Sequence, residues 1–194
     1  MLSTTEQKLT IEEFLALPEG DITYELVDGQ VIPKDKSMAP KRFHSRLQPI
    51  LWRVVEDWCR DPNAQKPGSA YTEWAIKLVR NQQDWIPVPD VTYVSDQQLG
   101  SDAVVDEVCQ VIPDLVIEII SPSQPFGEMT QKAGDYLKAG IPRVWIVDPA
   151  AKSITVFFPD APPKTFTQTA VINDDSLPGL ELIPQDIFEQ AGIP

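Results

Sequence analysis

The sequence predicts a mixed α/β fold around one central sheet, and two observations carry this prediction. First, the segments VIPDLVIEII (residues 111–120) and RVWIVDP (143–149) are apolar on both faces. Such strands usually lie in the middle of a sheet that is covered on both sides. Second, the helical pattern EMTQKAGDYLKAG (128–140) separates them, so helices and strands alternate as they do when helices flank a sheet.

The N-terminal third predicts a helix, a hairpin and a second, longer helix. Thr10 and Glu13 have the spacing of a capping box, and Pro18 ends the short helix that follows. The segment ITYELVDGQVIP (22–33) predicts a β-hairpin that turns at Asp28-Gly29. The apolar positions of FHSRLQPILWRVVEDWC (43–59) follow helical spacing, and Pro49 predicts either a kink or the first turn of the helix.

The remaining two thirds predict mostly strands. Strands are expected in AYTEWAIKLV (70–79) and WIPVPDVTYVS (85–95), with a turn at NQQD and an irregular insertion in DQQLGSDAVVDEVC (96–109). After the central helix and RVWIVDP, SITVFF (153–158) and KTFTQTAVI (164–172) predict further strands. The tail, LPGLELIPQDIFEQAG, predicts a short terminal helix.

Length and composition indicate one soluble domain spanning residues 1–194. The formal net charge of -13 argues against a non-specific coat on nucleic acid, but it is compatible with a local basic groove or a bound metal. Cys59 and Cys109 do not have the spacing of a zinc site and are too few for a disulfide scaffold. We see no signal peptide and no membrane span, so we expect a cytoplasmic protein without a membrane partner.

Two carboxylates interrupt the apolar segment 111–120. An isolated ionised carboxylate is costly in an apolar interior, so Asp114 and Glu118 need a basic partner, a wet strand end or a metal. They lie four residues apart, roughly 13 Å along a strand, which is too far for both to bind one ion. We therefore expect Glu118 to meet Asp90, at the head of the neighbouring predicted strand, in an oxygen-lined site for Mg²⁺ or Mn²⁺.

A cation beside that pair would suit phosphodiester hydrolysis. It would polarise the phosphate and activate water, while a lysine stabilises the developing charge. Lys132 is the candidate lysine, because it lies at the edge of the apolar face of the predicted helix 128–140. An exposed pair with Glu128, four residues earlier, is the competing explanation for Lys132.

Several motifs together resemble the Uma-two family of putative restriction endonucleases, in the PD-(D/E)XK nuclease superfamily. They are YELVDG, PDVTYV, PDLVIEIISPS, a Lys followed four residues later by Tyr, AGIPRVWIVDP and LPGLEL, in that order from about residue 10 to about residue 190. The resemblance implies a restriction-endonuclease-like core: a mixed central sheet flanked by helices, with an N-terminal helix and β-hairpin.

The resemblance also implies a set of catalytic residues. Asp90 and Glu118 match the two acids of the superfamily pattern, while Ile120 occupies the usual lysine position. Lys132 matches a variant in which the lysine has moved to the following helix. Three further residues match family-type positions near the expected cleft: Asp114, Glu25 and His44.

The leading hypothesis is a metal-dependent DNA endonuclease in which Asp90 and Glu118 hold Mg²⁺ (or Mn²⁺) and Lys132 assists the water. By analogy it acts as a homodimer. A second hypothesis is an inactive nuclease-fold protein that binds DNA or regulates. A third is a purely structural domain whose acids pair with Arg143 or Arg80.

Overall fold

Helices in the computed structural model follow the apolar spacing of the sequence. The model describes residues 8–18, 22–34, 42–100, 107–122 and 124–193. Its helices are α1 (Ile11–Leu15), α2 (Arg42–Cys59), α3 (Asp96–Leu99), α4 (Phe126–Lys138) and α5 (Pro184–Gln190). The capping box of α1 forms as predicted, with the Glu13 N–H donating to Thr10 and the Thr10 N–H donating to Glu13.

The long second helix forms as predicted, and one other helix prediction needs correction. Helix α2 runs through Pro49, which excludes the alternative in which the helix begins at this proline. Residues 96–99 form α3 although 96–109 was predicted to be irregular. The rest of that predicted insertion includes residues 101–106, which lie outside the described residues.

Ten strands form in the described residues: β1 (Tyr24–Val27), β2 (Gln30–Pro33), β3 (Gly68–Thr72), β4 (Leu78–Arg80), β5 (Gln83–Trp85), β6 (Val91–Ser95), β7 (Leu115–Ile119), β8 (Val144–Asp148), β9 (Ser153–Phe157) and β10 (Lys164–Thr167). The central sheet has the order β10-β9-β8-β7-β6-β3. Strands β7 and β8 are parallel and the other neighbours are antiparallel, so the sheet is mixed as predicted. The predicted β1–β2 hairpin forms, with Asp28 and Gly29 at positive φ.

Two predicted strands are each broken in two. The segment 70–79 leaves the sheet after β3, where Glu73 has a φ of 52°, and resumes as β4. The segment 85–95 is interrupted between β5 and β6, where Pro87 and Pro89 lack the N–H groups that a ladder requires. The second break places Asp90 directly before β6.

Apolar side chains cover both faces of the central sheet. On one face Leu115, Ile117 and Ile119 of β7 belong to a buried cluster with residues of α2 and α5. On the other face Val116 packs in a cluster with residues of α4. Because side chains alternate along a strand, Glu118 shares the α4 face with Val116. None of the helices in the described ranges combines the length and apolar character needed to cross a bilayer.

Candidate active site

Neighbouring strands bring Asp90 and Glu118 together. Val91 of β6 lies opposite Ile117 of β7, so the next pair along the same antiparallel ladder is Asp90 with Glu118. The backbone N–H of Ile119 donates to Asp90 Oδ2 at 2.7 Å and ties the aspartate to β7. Asp90 is only 1% exposed and Glu118 only 3%, so both carboxylates lie at the bottom of the candidate site.

The lysine missing from position 120 is replaced in space by Lys132. Its Nζ lies 2.9 Å from Glu118 Oε1 and 2.9 Å from Glu25 Oε1. Ile120 instead packs in the apolar cluster on the α4 face. Burial alone would lower the pKa of Lys132, but Glu118 and Glu25 outweigh it, and the pKa is raised well above that of a free lysine. Lys132 therefore stays charged between two carboxylates.

Glu25 links the hairpin to the site. It lies in β1, and its Oε1 accepts a hydrogen bond from the Val88 N–H at 3.0 Å as well as from Lys132. The segment that leads into Asp90, the hairpin and helix α4 thus meet at one carboxylate. We infer that Glu25 positions the lysine.

The two oxygens of Asp90 have different neighbours. Oδ2 accepts from Ile119 and lies 3.2 Å from His44 Nε2, on α2. Oδ1 lies 2.6 Å from Lys34 Nζ, but the approach is not that of a directed hydrogen bond. Burial would raise the pKa of Asp90, yet Lys34 and His44 outweigh burial and hold the pKa well below its usual range. Asp90 is therefore ionised at neutral pH.

Glu118 has a different electrostatic environment. Burial is the largest influence and raises its pKa, and Asp90 and Glu25 add to burial, while Lys132 opposes them. The Tyr136 hydroxyl donates a hydrogen bond to Glu118 Oε1 at 2.7 Å. Burial and the nearby Glu118 raise the pKa of Tyr136 well above its ordinary value, so the hydroxyl keeps its proton and remains a donor.

The cations form the outer part of the site. The side chains of Lys132, Lys34 and His44 are 20%, 12% and 12% exposed, against 4% for Glu118 and 2% for Asp90. A ligand that approaches from solvent would meet the basic groups before the acids. The three carboxylates of the site, those of Glu25, Asp90 and Glu118, outnumber the two ammonium groups of Lys34 and Lys132.

Asp114 is not placed with the other predicted site residues. It precedes β7 and lies at the opposite end of that strand from Glu118. Its Oδ1 lies 2.7 Å from Lys66 Nζ, and its Oδ2 accepts the Ser95 N–H at 2.8 Å. The structure therefore brings together Asp90, Glu118, Lys132, Glu25 and His44, and leaves Asp114 in a separate ion pair.

This placement leads us to expect that Asp114→Asn leaves the candidate site, and any activity that depends on it, as in the wild type. The same change should lower thermal stability, because Lys66 loses its carboxylate. Activity per folded molecule and thermal melting, measured on one sample, test both expectations. A loss of activity without a loss of stability would return Asp114 to the site.

The purely structural hypothesis assigned the acids to the wrong partners. Arg143 pairs with Asp174, and Arg80 pairs with Asp135 on α4 at 2.9 Å. Both arginines are already bound to acids outside the candidate site. The buried acids at positions 90 and 118 are instead matched by lysines from the hairpin and from α4.

The residues present fit an open site for a divalent cation. In the described residues, no group of three or more His, Cys, Asp or Glu side chains is arranged so that it could hold a metal ion. Mg²⁺, however, commonly takes one or two carboxylates and keeps several waters. Asp90 Oδ1 is buried and faces the Lys34 ammonium, and Glu118 lies opposite Asp90 on the next strand. Together these carboxylates could supply the two protein ligands of such a site.

Sequence reasoning missed Lys34, Tyr136 and the backbone donor of Ile119 as parts of the site. Tyr136 had a usable signal, because it follows Lys132 by four residues and so shares its side of the helix. Lys34 had no such signal in the sequence, because it lies 56 positions before Asp90 and directly follows an ordinary hairpin strand.

An open cavity of about 260 Å³ lies away from the candidate site, against Trp58 and Pro178, and no predicted site residue lines it.

Two comparisons with known proteins agree with this fold. The family model described as "Uma2: Putative restriction endonuclease" matches residues 11–185. A crystal structure of a putative nuclease belonging to DUF820, from Anabaena variabilis, is similar with a TM-score of 0.80 and 26% identity. The match covers 94% of this chain and 99% of that one. A search of curated proteins finds no match.

Proposed function

Because the chain belongs to the Uma2 family of putative restriction endonucleases, we propose that it is a metal-dependent endonuclease that hydrolyses DNA phosphodiester bonds. The structural relative from Anabaena variabilis, itself described as a putative nuclease, supports the same class of activity. The proposal treats residues 1–194 as one nuclease domain. The observation that carries it is the contact of Lys132 with Glu118 beside Asp90, since metal-assisted phosphodiester hydrolysis can use two carboxylates to hold a cation and a lysine to stabilise charge.

Asp90 and Glu118 are the residues that would hold Mg²⁺ or Mn²⁺. When bound, such a cation supplies charge compensation for the phosphate and a lowered pKa for its water. The site is suited to this addition electrostatically, because its carboxylates outnumber its ammonium groups and a divalent cation would offset that negative charge beside a phosphodiester. The Ile119 N–H and His44 contact Oδ2 of Asp90, so Oδ1, which faces the Lys34 ammonium in this structure, is the oxygen that would bind the cation.

Lys132 is proposed to act on the substrate directly. An ammonium has three N–H donors, and two carboxylates account for two of them. The third can face the attacking water or a phosphate oxygen, where a fixed positive charge stabilises the transition state. In this proposal Tyr136 holds Glu118 in place, Glu25 holds Lys132 in place, and His44 orients Asp90.

Cleavage of supercoiled plasmid by the purified protein tests the proposal. We expect cutting with Mg²⁺ or Mn²⁺ and none with EDTA. Lys132→Gln should slow cutting by about 10²- to 10³-fold, the usual effect of losing one transition-state donor. Lys66→Gln is the matched control, because it removes the same charge from a Lys–acid pair of similar length, 2.7 Å to Asp114, at the other end of β7 from Glu118.

The alternative is an inactive nuclease-fold protein that binds DNA or regulates, and the same assay separates it. A folded wild-type protein that binds DNA but never cuts it, with either cation, would favour that alternative. Cutting that persists in EDTA or in Lys132→Gln would instead place the active site elsewhere.

We also propose that the protein acts as a homodimer, since two sites are needed to cut both strands of a duplex. We propose the cytoplasm as the place where it acts. The form of the cut plasmid reports on this. A dimer that cuts both strands in one encounter should release linear DNA early, whereas a monomer should accumulate nicked circles first. Light scattering with and without DNA gives the mass directly.

A further inference from the structure

Lys34 lies where a bound cation would have to approach Asp90. It directly follows β2, and its backbone N–H donates to the Thr23 carbonyl at 2.9 Å, which anchors its position beside the hairpin. Its Nζ lies 2.6 Å from Asp90 Oδ1. Since the Ile119 N–H and His44 contact Oδ2, Oδ1 is the oxygen that remains for a metal.

An ammonium and a divalent cation cannot occupy that place together. Mg²⁺ binds carboxylate oxygens at about 2.0 to 2.1 Å, so it would lie well within contact distance of the present Nζ. The two positive charges would also repel each other inside a buried site. Metal binding at Asp90 therefore requires the Lys34 side chain to move.

A second acid gives Lys34 a place to go. Glu73 Oε1 lies 3.4 Å from the same Nζ, and the Glu73 side chain is 49% exposed. The lysine stem has four rotatable bonds and is flexible. A small rotation could move the ammonium away from buried Asp90 and towards exposed Glu73 without leaving the charge unpaired.

We propose that Lys34 is a resident counter-ion of Asp90 that a divalent cation must displace, so that Lys34 weakens metal binding by the site. The inference rests on the proposed function, because it takes Asp90 as a metal ligand. In the metal-free protein Lys34 compensates the buried charge of Asp90, and on metal binding it moves towards Glu73.

Calorimetric titration with Mn²⁺ in the absence of DNA tests the inference. Lys34→Gln should bind Mn²⁺ about tenfold more tightly than the wild type, since one competing cation is removed. Lys66→Gln is the matched control: it breaks a Lys–Asp pair of similar length, 2.7 Å, at the other end of β7, and removes the same charge. Its affinity should stay within about twofold of the wild type.

An Asp90→Asn variant separates the two possible failures. If Asp90→Asn loses Mn²⁺ binding but Lys34→Gln binds no more tightly than the wild type, the counter-ion role is wrong and the proposed metal site stands. If Asp90→Asn binds Mn²⁺ like the wild type, Asp90 is not a ligand, and both proposals fail.

A labelling experiment on the wild type avoids any folding defect of the variants. The rate at which an amine-reactive reagent modifies each lysine can be measured by mass spectrometry with and without saturating Mn²⁺. We expect Lys34 to react faster with Mn²⁺ because it leaves its buried partner, while Lys66 keeps its rate. An unchanged rate at Lys34 would overturn the inference.

Discussion

Replacing Asp90 by asparagine is expected to abolish cleavage and to lower the free energy of unfolding by about 3 kcal/mol at neutral pH. The change removes a proposed metal ligand, so activity is lost even in folded molecules. It also removes the buried partner of Lys34, whose side chain is only 12% exposed and which keeps only the half-exposed Glu73. Urea denaturation and plasmid cleavage of the same preparation measure the two effects.

The effect of Asp90→Asn on stability should depend on pH. The pKa of Asp90 is lowered in the folded protein, chiefly because Lys34 and His44 outweigh its burial. The stabilisation of the folded protein by ionised Asp90 is therefore fully present above the pKa of an unfolded aspartate, about 4. It is lost as the pH falls through the pKa of Asp90 in the folded protein. The difference in free energy of unfolding between the wild type and Asp90→Asn should become smaller below about pH 4. A difference that does not change with pH would contradict this electrostatic explanation.

Replacing Glu118 by glutamine should also abolish cleavage, but it should leave the protein as stable as before or more stable, by about 1 kcal/mol at pH 7. Burial is the largest cause of the raised pKa of Glu118, so ionising this side chain opposes folding. Glutamine removes that charge, and Lys132 retains Glu25 as its partner. For a protein of this size the gain corresponds to a rise in Tm of about 2 to 4 °C.

The pH dependence of Glu118→Gln should be opposite in sense to that of Asp90→Asn. A raised folded pKa contributes stability that is present below the unfolded pKa, about 4.3, and is lost as the pH rises through the folded pKa. The free energy of unfolding of the wild type should therefore be closest to that of Glu118→Gln at acid pH and become lower than it as the pH rises. A structural role for Glu118 predicts the reverse at neutral pH: lower stability in Glu118→Gln with activity unchanged.

Local patterns in the sequence were sufficient for the central strands and the long helices. The apolar run around Glu118 predicted a strand covered on both faces, and β7 is buried on both faces. The spacing of Met129, Ala133 and Tyr136 predicted α4 and put Lys132 at the edge of its buried face. These features depend on alternation and helical periodicity, which neighbouring residues determine by themselves.

The same local patterns misplaced the ends of two strands, whereas the assignment of Asp114 to the site came from the family resemblance. Alternation and strand rise predict that Asp114 lies roughly 13 Å from Glu118, and in the structure Asp114 precedes β7 at the other end of that strand and pairs with Lys66. The breaks at Glu73 and at Pro87 to Pro89 follow from a left-handed residue and from missing backbone donors. The apolar character of the segments 70–79 and 85–95 led to the prediction of two continuous strands despite these breaks.

The sequence by itself determined that carboxylates would interrupt a buried strand and that the acids at positions 90 and 118 would lie on neighbouring strands. Only the tertiary structure decided how their charges are balanced, by Lys132 from α4 and by Lys34 from the end of the hairpin. The physical reason is that burial sets a requirement for a counter-charge, which the sequence reveals. The identity of that counter-charge depends on which distant segments the fold brings within about 3 Å, and no local pattern records it.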